Sequence, residues 1–194
     1  MTLTIGSTSV PTLEEFLQLP ETKPASEYID GKIYQKSMPQ GKHSRLQTCL
    51  STAINQAGEP KKLALALTEL RCTFSGKSIV PDIAVFEWEN IPLDENGQIA
   101  NKFEIPPDWI IEILSPEQSA SKVIRKITFC IKNGTKLGYF IDADDKSITV
   151  FQPNQLPEVK EKQDILPVLD VLQYWKLTVE DVFNWLSFSG IKII

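Results

Sequence analysis

Two short apolar runs, each interrupted by one carboxylate, constrain the fold more than any other feature of the chain. They are Ile79-Val80-Pro81-Asp82-Ile83-Ala84-Val85-Phe86 and Trp109-Ile110-Ile111-Glu112-Ile113-Leu114. Runs of this length, rich in β-branched residues and bounded by proline and glycine, read as buried strands. A lone ionised acid within such a strand is costly, because it must meet a cation or hydrogen-bond donors or else take up a proton. One acid on each of two core strands therefore points to a shared metal ion. After the second strand come Ser115-Pro116-Glu117-Gln118 and a helical pattern carrying Lys126. Two acids and a lysine at the edge of a sheet are the parts of a metal-dependent phosphodiesterase. The competing reading makes both acids strand-end residues with structural partners.

The order of elements around these runs predicts the rest of the fold. Thr12 and Glu15 form a capping-box pattern for a short helix from Leu13 to Leu19, which Pro20 ends. Glu27-Tyr28-Ile29 and Lys32-Ile33-Tyr34 flank Asp30-Gly31, a strong two-residue hairpin signal. From Lys42 to Ala57 the spacing predicts a helix with Leu46, Leu50 and Ile54 on one face and His43 projecting inward between them. Leu63 to Leu67 is open to helix or strand, whereas Thr68 to Phe74, followed by Ser75-Gly76-Lys77, favours a hairpin. The acidic segment between Glu87 and Pro107 is long for a connector and is expected to act as a lid or an interaction loop. Ser115 is a candidate N-cap for the following helix, with Gln118 closing the box, although Ser119-Ala120-Ser121 can delay its start. Gly138 to Asp142 and Ile148 to Phe151 predict a further strand pair, and Thr178 caps a last amphipathic helix. Helix, strands, helix, strands implies an α/β or α+β protein with a central mixed β-sheet flanked by helices.

At 194 residues the chain fits one domain, with enough interior for such a sheet and its helices. The expected subdivision is an N-terminal helix and hairpin over 1–40, a core over 41–151 and a C-terminal extension with a helix over 152–194. The first residues lack a basic segment followed by a long apolar core, and no apolar run reaches the roughly 18 residues of a membrane span. A cytoplasmic protein without a membrane partner is the expectation. Cys49, Cys72 and Cys130 are odd in number and form no Cys-x-x-Cys pair, which fits a reducing compartment and gives no zinc site. His43 is the only histidine, so multi-histidine metal centres are excluded and any Ser-His-Asp or Cys-His catalysis would depend on that side chain. No Gly-x-Ser-x-Gly elbow accompanies it, which weakens a hydrolase of that kind.

The net charge of −5 argues against broad nucleic-acid affinity, yet it conceals an asymmetry. Residues 31–80 carry eight basic and two acidic side chains, 81–112 carry one and eight, and 113–137 carry five and one. A carboxylate centre between basic segments suits a metal-bridged phosphate ligand. The bland alternative is a solvated lysine surface.

Taken in order, Glu27-Tyr28-Ile29-Asp30-Gly31, a histidine opening a helix, Pro81-Asp82-Ile83, Glu112-Ile113-Leu114-Ser115-Pro116, a helical lysine and a return through Tyr139-Phe140-Ile141-Asp142 resemble a known family. It is the restriction-endonuclease-like family abundant in cyanobacteria, within the PD-(D/E)XK nuclease superfamily. The likeness runs from Glu27 to the segment Ile165-Leu166-Pro167 and the last helix. The resemblance implies an α-β-β-β-α-β core, phosphodiester hydrolysis of DNA, and Mg²⁺ or Mn²⁺ held by Asp82 and Glu112, with the Ile113 carbonyl or Glu27 completing the shell. Lys126 would orient the attacking water or hold a non-bridging oxygen. His43 and Ser115 match as supporting positions, with core packing and helix capping as their structural alternatives. The expected partner is DNA, with a homodimer as an open option.

Two departures bear on activity. The lysine that the superfamily places two residues after the strand acid is replaced here by Leu114, and Lys126 on the next helix takes its place in the resemblance. A position that is commonly acidic four residues before that lysine is Lys122. The helix of residues 42–57 contains no acid, and Glu27 from the hairpin is the expected substitute for the glutamate often found there. The alternative to a metal-dependent endonuclease is thus a non-cutting module that keeps the nuclease fold. With Ile127 at the centre of the buried face, Lys126 projects about 100° away, at its border. From there its stem can cross the core edge and bring the ammonium inward.

Overall fold

A computed structural model describes residues 10–116 and 118–188. The chain builds α1 (Leu13–Leu17), a hairpin of β1 (Ser26–Ile29) and β2 (Lys32–Gln35), α2 (Gly41–Gly58), and β3 (Ala64–Thr68). There follow a hairpin of β4 (Cys72–Phe74) and β5 (Lys77–Ile79), then β6 (Ile83–Glu87), β7 (Trp109–Ile113) and α3 (Ala120–Lys132). The chain continues with β8 (Leu137–Asp142), β9 (Ser147–Phe151), β10 (Glu158–Glu161) and α4 (Val179–Asn184). Six strands form the main sheet in the order β10-β9-β8-β7-β6-β3, and four form a smaller sheet in the order β2-β1-β5-β4. Within the main sheet β7 and β8 are parallel, joined through α3, and the other neighbours are antiparallel. This is the mixed α+β architecture expected from the sequence.

Strand alternation divides the interior into two layers. Ile83, Val85, Trp109, Ile111 and Ile113 face α2, where Leu46, Leu50 and Ile54 meet them together with Leu166 to Phe183 of the C-terminal extension. Ala84, Phe86, Ile110 and Phe140 face α3, whose Val123, Ile127 and Cys130 pack there beside Phe74 and Ile79 of the small sheet. The parity places Glu112 on the α3 side. Gly138 allows α3 to lie close on β8, since a Cβ at that position would come 2.5 Å from Ile127 Cγ2.

One local expectation is corrected and two open ones are resolved. The run from Ile79 to Phe86 is not one strand: β5 ends at Ile79 and β6 begins at Ile83. Pro81 offers no N–H to a ladder, and Val80, Pro81 and Asp82 become the link between the two sheets. The open stretch is strand from Ala64 to Thr68, and β3 pairs with β6 along its whole length. Ala64 and Ala66 face α2, and the Asn55 side chain bonds both the N–H and the carbonyl of Ala66, covering this edge strand. Finally, α3 begins after Ser119, not at Ser115, so the serine-rich stretch does delay it.

Candidate active site

Antiparallel pairing of β6 with β7 sets the start of one strand beside the end of the other. Ile83 lies opposite Ile111, which brings Asp82 next to the Glu112-Ile113 pair. The Ile113 N–H donates to Asp82 Oδ2 at 2.7 Å. His43, in the first turn of α2, lies with Nε2 3.1 Å from the same oxygen. Asp82 Oδ1 accepts from Lys36 Nζ at 2.8 Å. Its own carbonyl receives the Gln47 side chain at 2.8 Å and the Glu69 N–H at 3.2 Å. Asp82 is 2% exposed, and burial alone would push its carboxyl upward. The His43 hydrogen bond, with the positive charge of Lys36, outweighs burial and holds it well below the usual carboxylate range.

Lys126 forms the second half of the site. Its ammonium lies 2.9 Å from Glu112 Oε2 and 2.9 Å from Glu27 Oε1. Glu27 also accepts the Val80 N–H at 2.8 Å, tying the hairpin to the link that bears Asp82. Lys126 is itself buried, which favours its neutral form, but the charges of Glu112 and Glu27 raise its pKa. Glu112 is pushed up to about 8: burial dominates, Lys126 opposes it, and the negative charge of Asp82 adds to it. Glu112 Oε1 is buried without a hydrogen-bond partner among the described residues. Lys36 is likewise raised, with burial opposed by Asp82 and Glu112.

The structure thus brings Asp82, Glu112, Ile113, Lys126, Glu27 and His43 together at one end of the main sheet. Ser115 is buried just beyond β7, where its N–H meets Gln118 Oε1 at 3.4 Å. Lys122 is exposed on α3. The acidic segment after Glu87 departs from the opposite end of the sheet, because it joins the end of β6 to the start of β7. It is pinned there by Asp108, which accepts from the Glu87 N–H at 2.9 Å and from Asn90 at 3.0 Å. It is not a lid over this cluster.

Sequence reasoning missed Lys36. Its ammonium bridges Asp82, Glu69 at 3.0 Å and the Val80 carbonyl at 2.9 Å. It reaches them because β1 pairs with β5 as well as with β2, a contact that no local pattern announces.

Two acids and a histidine on Asp82 do not make a closed metal cage, and among the described residues no three His, Cys, Asp or Glu side chains are grouped to hold an ion. The donor set nevertheless fits a hard divalent cation. Glu27, Asp82 and Glu112 are buried acids facing two lysines, which leaves one negative charge unbalanced once Glu112 gives up its proton with His43 neutral, and Glu112 Oε1 is the oxygen left without a partner.

A family model described as "Uma2: Putative restriction endonuclease" matches residues 13–180. The chain belongs to this family. It is also similar to a crystal structure from Anabaena variabilis ATCC 29413 described as a "putative nuclease belonging to DUF820". That likeness has a TM-score of 0.90 and 51% sequence identity, over 91% of this chain and 99% of the other. No curated protein matches the chain. Among the described residues of this Uma2 chain, no helix is long and apolar enough to cross a membrane.

Proposed function

We propose that this Uma2 protein is a metal-dependent DNA endonuclease that hydrolyses phosphodiester bonds. The observation that carries the reading is the buried Glu112 Oε1 beside Asp82, without a hydrogen-bond partner among the described residues, with the Lys126 ammonium 2.9 Å from the other Glu112 oxygen. Asp82, Glu112 and the Ile113 carbonyl would hold Mg²⁺ or Mn²⁺, whose all-oxygen preference matches them. When bound, the ion supplies Lewis acidity at the phosphoryl group. His43 and the Ile113 N–H hold Asp82 in a single orientation. Lys126, kept protonated and aimed by Glu27, positions the attacking water or neutralises a non-bridging oxygen. Ser115 serves the turn that leads from β7 into α3. The free thiols of Cys49, Cys72 and Cys130 accord with a cytoplasmic protein.

Supercoiled plasmid incubated with the protein in millimolar Mg²⁺ or Mn²⁺ tests the reading. Nicked and linear products are expected from the parent, with none from Asp82→Ala or after chelation. A parent that binds plasmid and metal but leaves the DNA intact would instead be the non-cutting module.

A further inference from the structure

Beside the cluster a cleft of about 670 Å³ opens between α3 and the small sheet, with Glu27, Lys36 and Lys126 in its wall. On a chain of net charge −5, this cleft carries six basic side chains against two carboxylates, Glu27 and Asp30. Both of those acids are paired, Glu27 with Lys126 and Asp30 with Lys77, and Lys36 is held by Asp82 and Glu69, so Lys122, Arg125 and Lys132 are the cleft's cations without an acidic partner among the described residues. Two aromatic rings also line the cleft, Tyr34 from β2 and Phe129 from α3. A lysine from the opposite wall covers each. Lys122 of α3 lies 5.3 Å from the Tyr34 ring centre, and Lys77 of β5 lies 4.4 Å from that of Phe129.

We infer that this cleft binds an unpaired DNA strand and leads it to the candidate cleavage site, an assignment that rests on the endonuclease reading above and narrows its substrate to DNA with a single-stranded segment. A positive groove set with aromatic rings is the arrangement that recognises single strands, because phosphates meet the cations while bases stack on the rings. Duplex DNA offers its phosphates but keeps its base faces inside the stack, so it leaves Tyr34 without a base to stack on. The contact of Lys122 with Tyr34 supplies the exchange. An exposed cation–π contact is weak, and a phosphate draws Lys122 off the ring while uncovering its face for a base, whereas Lys77 stays with Asp30 and Phe129 with Phe74. Lys122 and Lys132 stand about 15 Å apart along α3, which spreads the positive charge over more than one phosphate.

The test is fluorescence anisotropy of a labelled single-stranded oligonucleotide and of a blunt duplex of the same sequence, in EDTA so that no cleavage intervenes. The single strand should bind at least tenfold more tightly than the duplex. Tyr34→Ala should weaken single-strand binding about tenfold and leave duplex binding unchanged. Lys122→Glu with Lys132→Glu should weaken it further and reduce the salt slope by about 0.7 per lost phosphate contact. Thermal melts of each variant establish that it folds. Equal affinity for the two DNAs, or a folded Tyr34→Ala variant with parent affinity for the single strand, would overturn the assignment. Cleavage assays of the parent in millimolar Mg²⁺ separate it from the endonuclease reading: a protein that never cuts but prefers the single strand through Tyr34 keeps the groove and loses the nuclease. One that cuts blunt duplex and shows no such preference does the reverse.

Discussion

The Lys126 ammonium lies 2.9 Å from Glu112 although the two residues come from different elements, α3 and β7, and both are at least nine-tenths buried. Truncating a lysine in such a setting strands its partners. Lys126→Met leaves Glu27 and Glu112 together without their shared cation, and loss of one partner of a buried pair costs about 3–5 kcal/mol. The variant should therefore melt well below the parent, and Glu112→Gln in the same background should recover part of the loss. Cleavage of plasmid should fall at least a hundredfold while Mg²⁺ still raises the melting temperature. A Lys126→Met protein that cuts at the parent rate would remove the lysine from the chemistry.

The metal-free protein should lose stability as pH rises from about 5 to 8. Glu112 titrates near 4.5 when unfolded and near 8 in the fold, so across that window the native state holds more protons than the unfolded chain. One such proton gives a slope of at most about 1.4 kcal/mol per pH unit. Asp82 acts with the opposite sign: its lowered pKa stabilises the fold above about 4 and is lost in stronger acid. Urea melts in EDTA should thus peak between pH 4 and 5, and Glu112→Gln should flatten the decline above it. A parent whose stability climbs steadily to pH 8 would contradict the protonated carboxyl.

The hairpin at Asp30-Gly31, the inward His43 and the border position of Lys126 were all legible in the sequence because each follows from local periodicity or turn chemistry. The geometry of Asp82 was only half legible. An apolar run marked it as buried, but Pro81 takes it out of the ladder, and only as a link between sheets can it meet His43, Lys36 and the Ile113 N–H together. Leu63 to Leu67 carried a true period-two signal, with Ala64 and Ala66 inward, that leucine's helix propensity obscured. Lys36 was illegible, because its role is set by the pairing of β1 with β5, about fifty residues away along the chain.

Gly138 sets the depth of α3 and hence the reach of Lys126. Gly138→Ala would place a Cβ 2.5 Å from Ile127 Cγ2, and overpacking of this kind costs about 1–3 kcal/mol. The variant should lose cleavage out of proportion to its lost stability, because α3 must lift from β8. Adding Ile127→Ala removes the clashing methyl, so the double variant should be more stable than the two single losses added together. Simple additivity in urea melts would show that the helix does not rest on this contact.

On the metal-dependent reading, Lys36 would decide how the site responds to a cation. Its ammonium holds Asp82 Oδ1 at 2.8 Å, on the carboxylate that the metal reading needs. A lysine there stabilises the metal-free fold by neutralising Asp82, and it opposes a second cation by charge repulsion. Lys36→Met should separate the two effects. Without metal it leaves Asp82 with only His43 and the Ile113 N–H, and stability should fall by about 3 kcal/mol. With Mg²⁺ the larger negative charge should bind the ion more tightly, so the rise in melting temperature across a millimolar titration should exceed that of the parent. If Lys36 instead helps to build the metal site, its loss should weaken Mg²⁺ binding, and the titration should show a smaller rise. Calorimetric binding of Mg²⁺ to parent and variant gives the sign directly, since repulsion predicts a tighter Kd in Lys36→Met and a supporting role predicts a weaker one.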